Sequence, residues 1–192
     1  EKRDSIFCLI EAEDRDAVKE MHSKAHGLIP NKIIEVSSSI VESFLGRIYD
    51  PDDAASSTDG LKVFADPSFR VLLVTSIQDP VLLQHCLGKE KAEELLSRQN
   101  AIIRKYISKN GGSEVEHTGD GFIVSFTSAS KAVNAALNIQ KEISKKDAET
   151  LNLRFGITGG EPIEKSNTLF GDAIRLANEL CSISSPKHFH LG

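Results

Sequence analysis

The chain has no surplus of positive charge. Among its 192 residues, 23 lysines and arginines face 28 aspartates and glutamates, a formal net charge of -5. No basic block and no aromatic-basic stripe offsets that deficit, which argues against a nucleic-acid partner. Long apolar runs are also missing. The longest, such as Val71-Leu72-Leu73-Val74, fall far short of the about 20 residues that cross a bilayer, so no membrane partner is expected. Cysteine is scarce: Cys8, Cys86 and Cys181 are odd in number and far apart. That excludes a disulfide framework and fits a reducing cytoplasm. What remains is ordinary for a globular protein with a core, at 40% hydrophobic and 27% charged residues. The length admits one large domain or two small ones.

One stretch interrupts the apolar patterning. Asp50 to Ala65, including Asp50-Pro51-Asp52-Asp53-Ala54-Ala55-Ser56-Ser57, is polar, small and acidic, and reads as a linker. Before it, Ser5 to Ile10 reads as a strand. Asp14 is placed to N-cap a helix carrying Ala17, Val18, Met21 and Ala25, which His26-Gly27 closes. Asn31 to Val36 reads as a second strand, and Ser37 to Leu45 as a short helix ending at Gly46. A strand, a helix, a strand and a short helix make half a compact fold, so earlier residues are expected to complete this unit.

After the linker, Phe69 to Ile77 is continuously apolar, as in a buried strand. Lys89 to Ile107 gathers Ala92, Leu95, Leu96, Ile102, Ile103 and Tyr106 broadly on one helical face. Asn110-Gly111-Gly112 stops it. Ser113 to Thr118 and Phe122 to Phe126 flank Gly119-Asp120-Gly121, a hairpin pattern. Ser130 to Ile143 is a second amphipathic helix, Leu151 to Thr158 a strand, Gly171 to Leu180 a third helix, and Phe189 to Leu191 the start of a last strand. The order β-α-β-β-α-β is the ferredoxin-like plan.

Three segments of this second half, in family order, resemble the class III adenylate and guanylate cyclases. They are His117-Thr118-Gly119-Asp120-Gly121-Phe122, Leu153-Arg154-Phe155-Gly156-Ile157 leading to Gly160-Glu161-Pro162, and Leu169-Phe170-Gly171-Asp172-Ala173-Ile174 with Ala177. The resemblance covers nearly everything from Phe69 onward. It implies a site in which two aspartates hold two Mg²⁺ or Mn²⁺ ions on a purine nucleoside triphosphate, activating the ribose hydroxyl for in-line attack.

The sequence departs from that pattern. Asp120 matches the hairpin aspartate, but the aspartate that ends the first strand aligns with Ser76, whose neutral hydroxyl cannot bridge two divalent ions. Asp79 lies where the family uses a small turn around phosphates, and its carboxylate would repel them. Pro80 removes a backbone donor there. On the third helix, the family's ribose-orienting asparagine and transition-state arginine align with Arg175 and Glu179, a spacing for an ion pair. Glu116 stands four residues before Asp120, at the purine-reading position, where a glutamate suits guanine. The same Glu116 also reads as a solvent-facing residue of an alternating strand. Thr168 occupies its partner position. Gly-Asp-Gly is good hairpin chemistry with or without a metal, so Asp120 has a purely structural reading too.

In the first half, Cys8-Leu9-Ile10-Glu11-Ala12, Ala25-His26-Gly27-Leu28-Ile29-Pro30 and Ile33-Ile34-Glu35-Val36 resemble a small ferredoxin-like family with nickel-binding members. His22 and His26, four apart, share one helix face, a spacing that suits Ni²⁺ or Zn²⁺, and Cys8 could add a thiolate. Alternatively, His22 is exposed and His26 merely interacts with the helix dipole.

The expectation is therefore an α+β chain of two ferredoxin-like units. Residues 1–49 form the first, 50–68 the linker and 69–192 a cyclase-type domain. Its function would be that of a catalytically degenerate cyclase homologue in signalling, a pseudoenzyme that acts by dimerising or by binding a ligand. Its partner would be a second copy or an intact cyclase-type domain. The alternatives are a divergent active cyclase using Asp120, Asp79 and Glu116, and a nickel or zinc protein.

Overall fold

The computed structural model describes residues 7–27, 29–49, 55–56, 62–63, 68–144, 152–185 and 189–191. Helix α1 (Arg15–His26) begins where the sequence places it: the Asp14 side chain accepts from the Ala17 amide, and Gly27 closes the helix in the left-handed conformation. Helix α2 (Ser38–Leu45) is capped in the same manner by Ser37 and Gly46. The two expected strands before the linker are not found. Residues 7–10 and 31–36 are outside any strand, while Ser5 and Ile6 lie outside the described residues. A short apolar run becomes a strand only beside a hydrogen-bonding neighbour, and none of the described residues pairs with them. Within the expected linker, β1 (Ala55–Ser56) and β2 (Lys62–Val63) pair antiparallel; of the rest only Ser68 is described.

From Phe69 onward the expected order holds, with one addition. Strand β3 (Arg70–Ile77) is followed by α3 (Pro80–Leu87), which the sequence reading took for a turn. Proline at the first helical position costs nothing, because that N–H has no intrahelical partner. Then come α4 (Lys89–Lys109), β4 (Ser113–His117), β5 (Gly121–Phe126), α5 (Ala129–Ser144), β6 (Leu153–Gly160), α6 (Gly171–Ile183) and β7 (Phe189–Leu191). The sheet runs β4-β5-β3-β6-β7, with antiparallel pairs except β6-β7, which is parallel. The first four strands follow the ferredoxin-like plan, with β3 central.

Strand alternation divides the core between the two sheet faces. Val71, Leu73 and Ile77 of β3 pack with Leu95, Ile103 and Ile107 of α4 and with the alanines and Ile139 of α5. Their neighbours Leu72 and Val74 point the other way, to Phe44 of α2 and to Ala173, Ala177 and Cys181 of α6. Helix α2, assigned by sequence to the first unit, thus sits on the sheet of the second. Its C-terminal carbonyls are gripped from below. Arg70, 2% exposed, donates to Phe44 O at 3.2 Å and to Leu45 O at 3.3 Å, and Ser125 Oγ donates to Phe44 O at 2.7 Å. A helix C-terminus favours a cation, and its last carbonyls need donors from outside the helix.

Helix α6 approaches β6 closely at Gly156. A Cβ built there would lie 2.1 Å from Ala177 O and 2.6 Å from Cys181 N, both backbone atoms that cannot swing aside. None of the described helices is long and apolar enough to cross a membrane. Gly156→Ala should push α6 off the sheet and lower unfolding stability by about 1–3 kcal/mol, the usual range for overpacking. Urea denaturation checks this, and an unchanged midpoint would mean that α6 is not held at this separation.

Candidate functional site

Two of the residues picked out by the cyclase resemblance, Ser76 and Asp120, meet at one end of the sheet, whereas Thr168 lies in the loop after Gly160, which pairs with Arg70 at the other end. Ser76, next to last in β3, is opposite Gly121 of β5 and opposite Arg154 of β6. The Ile77 amide donates to Asp120 O at 2.9 Å, which sets the hairpin aspartate beside the end of β3, as the alignment of Ser76 and Asp120 requires. Directly opposed residues of antiparallel strands project to the same face. Ser76 and Arg154 therefore share the α6 face with Val74 and Ile123.

The chemistry available there is sparse. The Asp120 carboxylate accepts from Thr118 Oγ1 at 2.8 Å, a bond that fixes it within its own hairpin. Ser76 Oγ makes only a long 3.5 Å contact with Ile77 O. Asp79 is exposed, in the left-handed region at φ 52°, and its side chain does not cap α3. Among the described residues, no group of three or more histidine, cysteine, aspartate or glutamate side chains could hold a metal ion.

The alternating pattern expected around Glu116 is broken by a bulge. Glu114 is opposite Val124 and Glu116 is opposite Ile123, so the extra residue Val115 lies between them. Val115 packs into the α2/α6 side, and Glu116, opposite Ile123, belongs to that face as well. Glu116 is exposed, but on the side that carries Ser76. Glu114 instead forms a two-pronged pair with Arg104 at 2.9 and 3.0 Å, and that hydrogen bond holds its carboxyl below the usual range.

On α6, Arg175 and Glu179 form the ion pair that their spacing implied, 2.7 Å apart and exposed to solvent. Each charge is thereby largely spent on the other. Thr168 is exposed in the loop before α6, where its carbonyl accepts from the Gly171 amide at 3.1 Å.

Two residues beside Ser76 were not singled out from sequence. Cys181, 2% exposed, has its thiol pushed up to about 11, first by burial. The nearby Arg154 guanidinium and a backbone hydrogen bond from Ser76 lower it, while the Asp120 charge raises it. Arg154 donates to Ser182 O at 3.4 Å, and its buried Nε has no partner among the described residues. Only the pairing of β3 with β6 brings this cation beside Ser76, so no linear motif could have revealed it.

At the N-terminus, His22 is 7% exposed, against the alternative of an exposed surface histidine. Cys8 is an exposed free thiol outside any strand, so it does not sit on the neighbouring strand from which it was to reach the histidines. The His26 side chain lies outside the described residues.

Comparison with known structures supplies the context. The guanylyl cyclase domain of the RhoGC fusion protein from Blastocladiella emersonii matches with a TM-score of 0.57 at 18% identity, covering 65% of this chain and 81% of that one. The guanylate cyclase domain of RhGC from Catenaria anguillulae, in complex with GTP, matches with a TM-score of 0.56 at 20% identity over 65% and 78%. From Phe69 onward the chain has the class III nucleotide cyclase fold. A bacterial light-regulated adenylyl cyclase gives a TM-score of 0.54 at 24% identity over 60% and 70%. By sequence, the cyclase-like unit is similar to the putative adenylate cyclase 3 of Rhizobium meliloti (strain 1021). The two are 26% identical over 97 residues, 48% of this chain and 16% of that relative, so the chain spans a small part of its length. A family model described as nickel responsive protein SCO4226-like matches residues 1–36, ending just before α2.

The placement of Cys181 is directly testable. In the native protein at neutral pH, a maleimide should label Cys8 and Cys86 but spare Cys181 until denaturant is added. Asp120→Asn, by removing a negative charge, should lower the Cys181 pKa, measured as alkylation rate across an alkaline pH series. An unchanged profile would show that the Asp120 carboxylate does not face this thiol.

Proposed function

We propose that this protein is a catalytically degenerate cyclase homologue acting in signalling, a regulatory module whose output is dimerisation or partner binding. The observation that carries this reading is Ser76 at the end of β3 beside Asp120. Two divalent ions on a triphosphate need carboxylates from both places, and one carboxylate alone makes a weak Mg²⁺ or Mn²⁺ site. The ion pair on α6 argues in the same direction. Glu179 brings negative charge where the transferring phosphate needs positive, and it occupies the guanidinium of Arg175. Preorganised electrostatic stabilisation is often the largest catalytic term, so its reversal is worse than its loss.

Purine binding without turnover is compatible with this role, because the β4 bulge keeps Glu116 on the same face as Ser76. Dimerisation is drawn from the fold. The solved relatives include a dimeric guanylyl cyclase domain from Blastocladiella emersonii, and a partner of this chain would be a second copy or an intact cyclase-type domain. Three free cysteines fit a cytoplasmic setting.

The full chain should make no detectable cyclic nucleotide from ATP or GTP with Mg²⁺ or Mn²⁺. Loss of one oriented contact costs about 10²- to 10³-fold, and three changes within one catalytic unit place turnover below assay limits even without additivity. Mn²⁺-dependent product that vanishes in Asp120→Ala would identify a divergent active cyclase instead.

A second reading concerns the N-terminus, where the match to a nickel-responsive family model supports a sensing unit, and the spacing of His22 and His26 on one helix face suits Ni²⁺ or Zn²⁺. Calorimetry should detect binding of either ion, weakened at least tenfold by His22→Ala. An affinity unaffected by both His22→Ala and His26→Ala would remove these residues from consideration.

A further inference from the structure

The loop between β6 and α6, residues 161–170, is held from two directions. From within, the Asp172 carboxylate accepts the amides of Lys165 at 2.8 Å and Ser166 at 2.7 Å. The Phe170 amide donates to Pro162 O at 2.8 Å. The turn is tight at Gly171, where a Cβ would lie 2.1 Å from Thr168 Oγ1 and displace that hydroxyl. From outside come two residues more than a hundred positions earlier in the chain. Lys32 Nζ donates to the carbonyls of Glu164 at 3.1 Å and Lys165 at 3.2 Å, and also to that of Ser166. Phe44 of α2 stacks on Phe170 with ring centroids 4.8 Å apart.

Both outside contacts fall where the loop most needs them. Phe170 is left-handed at φ 54°, a conformation unfavourable for a non-glycine residue that persists only when its surroundings enforce it. The ring is 1% exposed and packs with Phe44, Leu72 and Ala173, so α2 is one of the walls that keep Phe170 in place. Three carbonyls converging on one point require a cation with three donors. An ammonium supplies them from a single nitrogen, whereas a guanidinium spreads its five donors in a plane with no more than two on any one nitrogen. Lys32 lies inside the segment matched by the nickel-responsive model, and α2 follows directly after it.

We propose that residues 29–46 are a strap through which the N-terminal unit sets the conformation of the β6–α6 loop, with Lys32 as its positioning residue. The loop carries Thr168 and leads into the first turn of α6, at the end of the sheet away from Ser76 and Asp120, so the strap governs the residue that the cyclase resemblance sets at the purine-partner position. That consequence rests on the cyclase-derived reading of the site; the mechanical link does not. Anchoring of α2 by Arg70 fixes one end of the strap to the sheet, and the Lys32 contact is the end that can be released. A change in the N-terminal unit that withdraws Lys32 leaves three carbonyls without their donor and frees the loop.

Hydrogen exchange on the full chain tests this without nucleotide or turnover, so detection of cyclase activity would overturn the degenerate reading and leave the strap standing. Lys32→Met keeps the aliphatic stem and removes the donors. It should speed exchange of the 161–170 amides at least tenfold and leave β3 and β5 unchanged. Lys32→Arg should recover only part of the protection. Coupling is reciprocal, so Asp172→Asn, which loosens the loop from its own side, should also speed exchange in residues 29–37. Loop exchange within twofold of wild type in Lys32→Met would overturn the proposal. So would Asp172→Asn that loosens the loop but leaves residues 29–37 unaffected, since Lys32 would then be a passive surface contact.

Discussion

A single buried guanidinium ties the two halves of this chain together. Arg70 opens the central strand, and its donors are directed to the last carbonyls of α2 and to Phe69 O. A hydrogen bond to a charged group contributes about 1.5–3 kcal/mol. Together with the Ser125 hydroxyl on Phe44 O and the burial of the Phe44 ring, the Arg70 contact holds α2 on the sheet. Phe44 is then placed against Phe170, and Lys32 within reach of the loop before α6. Everything the N-terminal residues can do to the cyclase-like unit passes through this arrangement.

The site itself follows from strand parity. Because β3 is central and antiparallel to both β5 and β6, Ser76, Gly121 and Arg154 form a row across the sheet. In the family's two-metal site an aspartate would stand at the Ser76 position of that row, next to the hairpin carboxylate that Asp120 keeps. Here the row presents a hydroxyl, a glycine and a cation, above a thiol that burial keeps protonated. The result is a site that retains the scaffold of phosphoryl chemistry with little of its charge.

The described parts of the N-terminal region lack a sheet, yet α1 and α2 are well capped at both ends. Local hydrogen bonds from Asp14, Ser37, Gly27 and Gly46 determine helix ends without any tertiary partner. Strands have no such local resource, and residues 7–10 and 31–36 stay unpaired.

Much of the cyclase-like unit was fixed by local chemistry alone. Apolar periodicity located β3, α4, α5 and β6 to within a few residues, the Gly-Asp-Gly turn located the hairpin, and spacing predicted the Arg175–Glu179 pair. The placement of Ser76 beside Asp120 also followed from aligned motifs. Other features depend on which segments become neighbours, and no linear pattern encodes that. Helix α3 was hidden because Asp79-Pro80 has the same composition in a turn as at a helix start. The bulge at Val115 was hidden because an extra residue in β4 exists only relative to β5. Arg154 and Cys181 reach Ser76 through strand pairing and through the close approach of α6 at Gly156. The grip of Arg70 on α2 joins residues 26 apart, and that of Lys32 on its loop joins residues over a hundred apart. Sequence determined the elements and the departures from the cyclase pattern, because those are properties of single residues and short spacings. Tertiary structure decided which face each side chain serves and how the N-terminal segment is coupled to the site, because burial and register are properties of the whole chain.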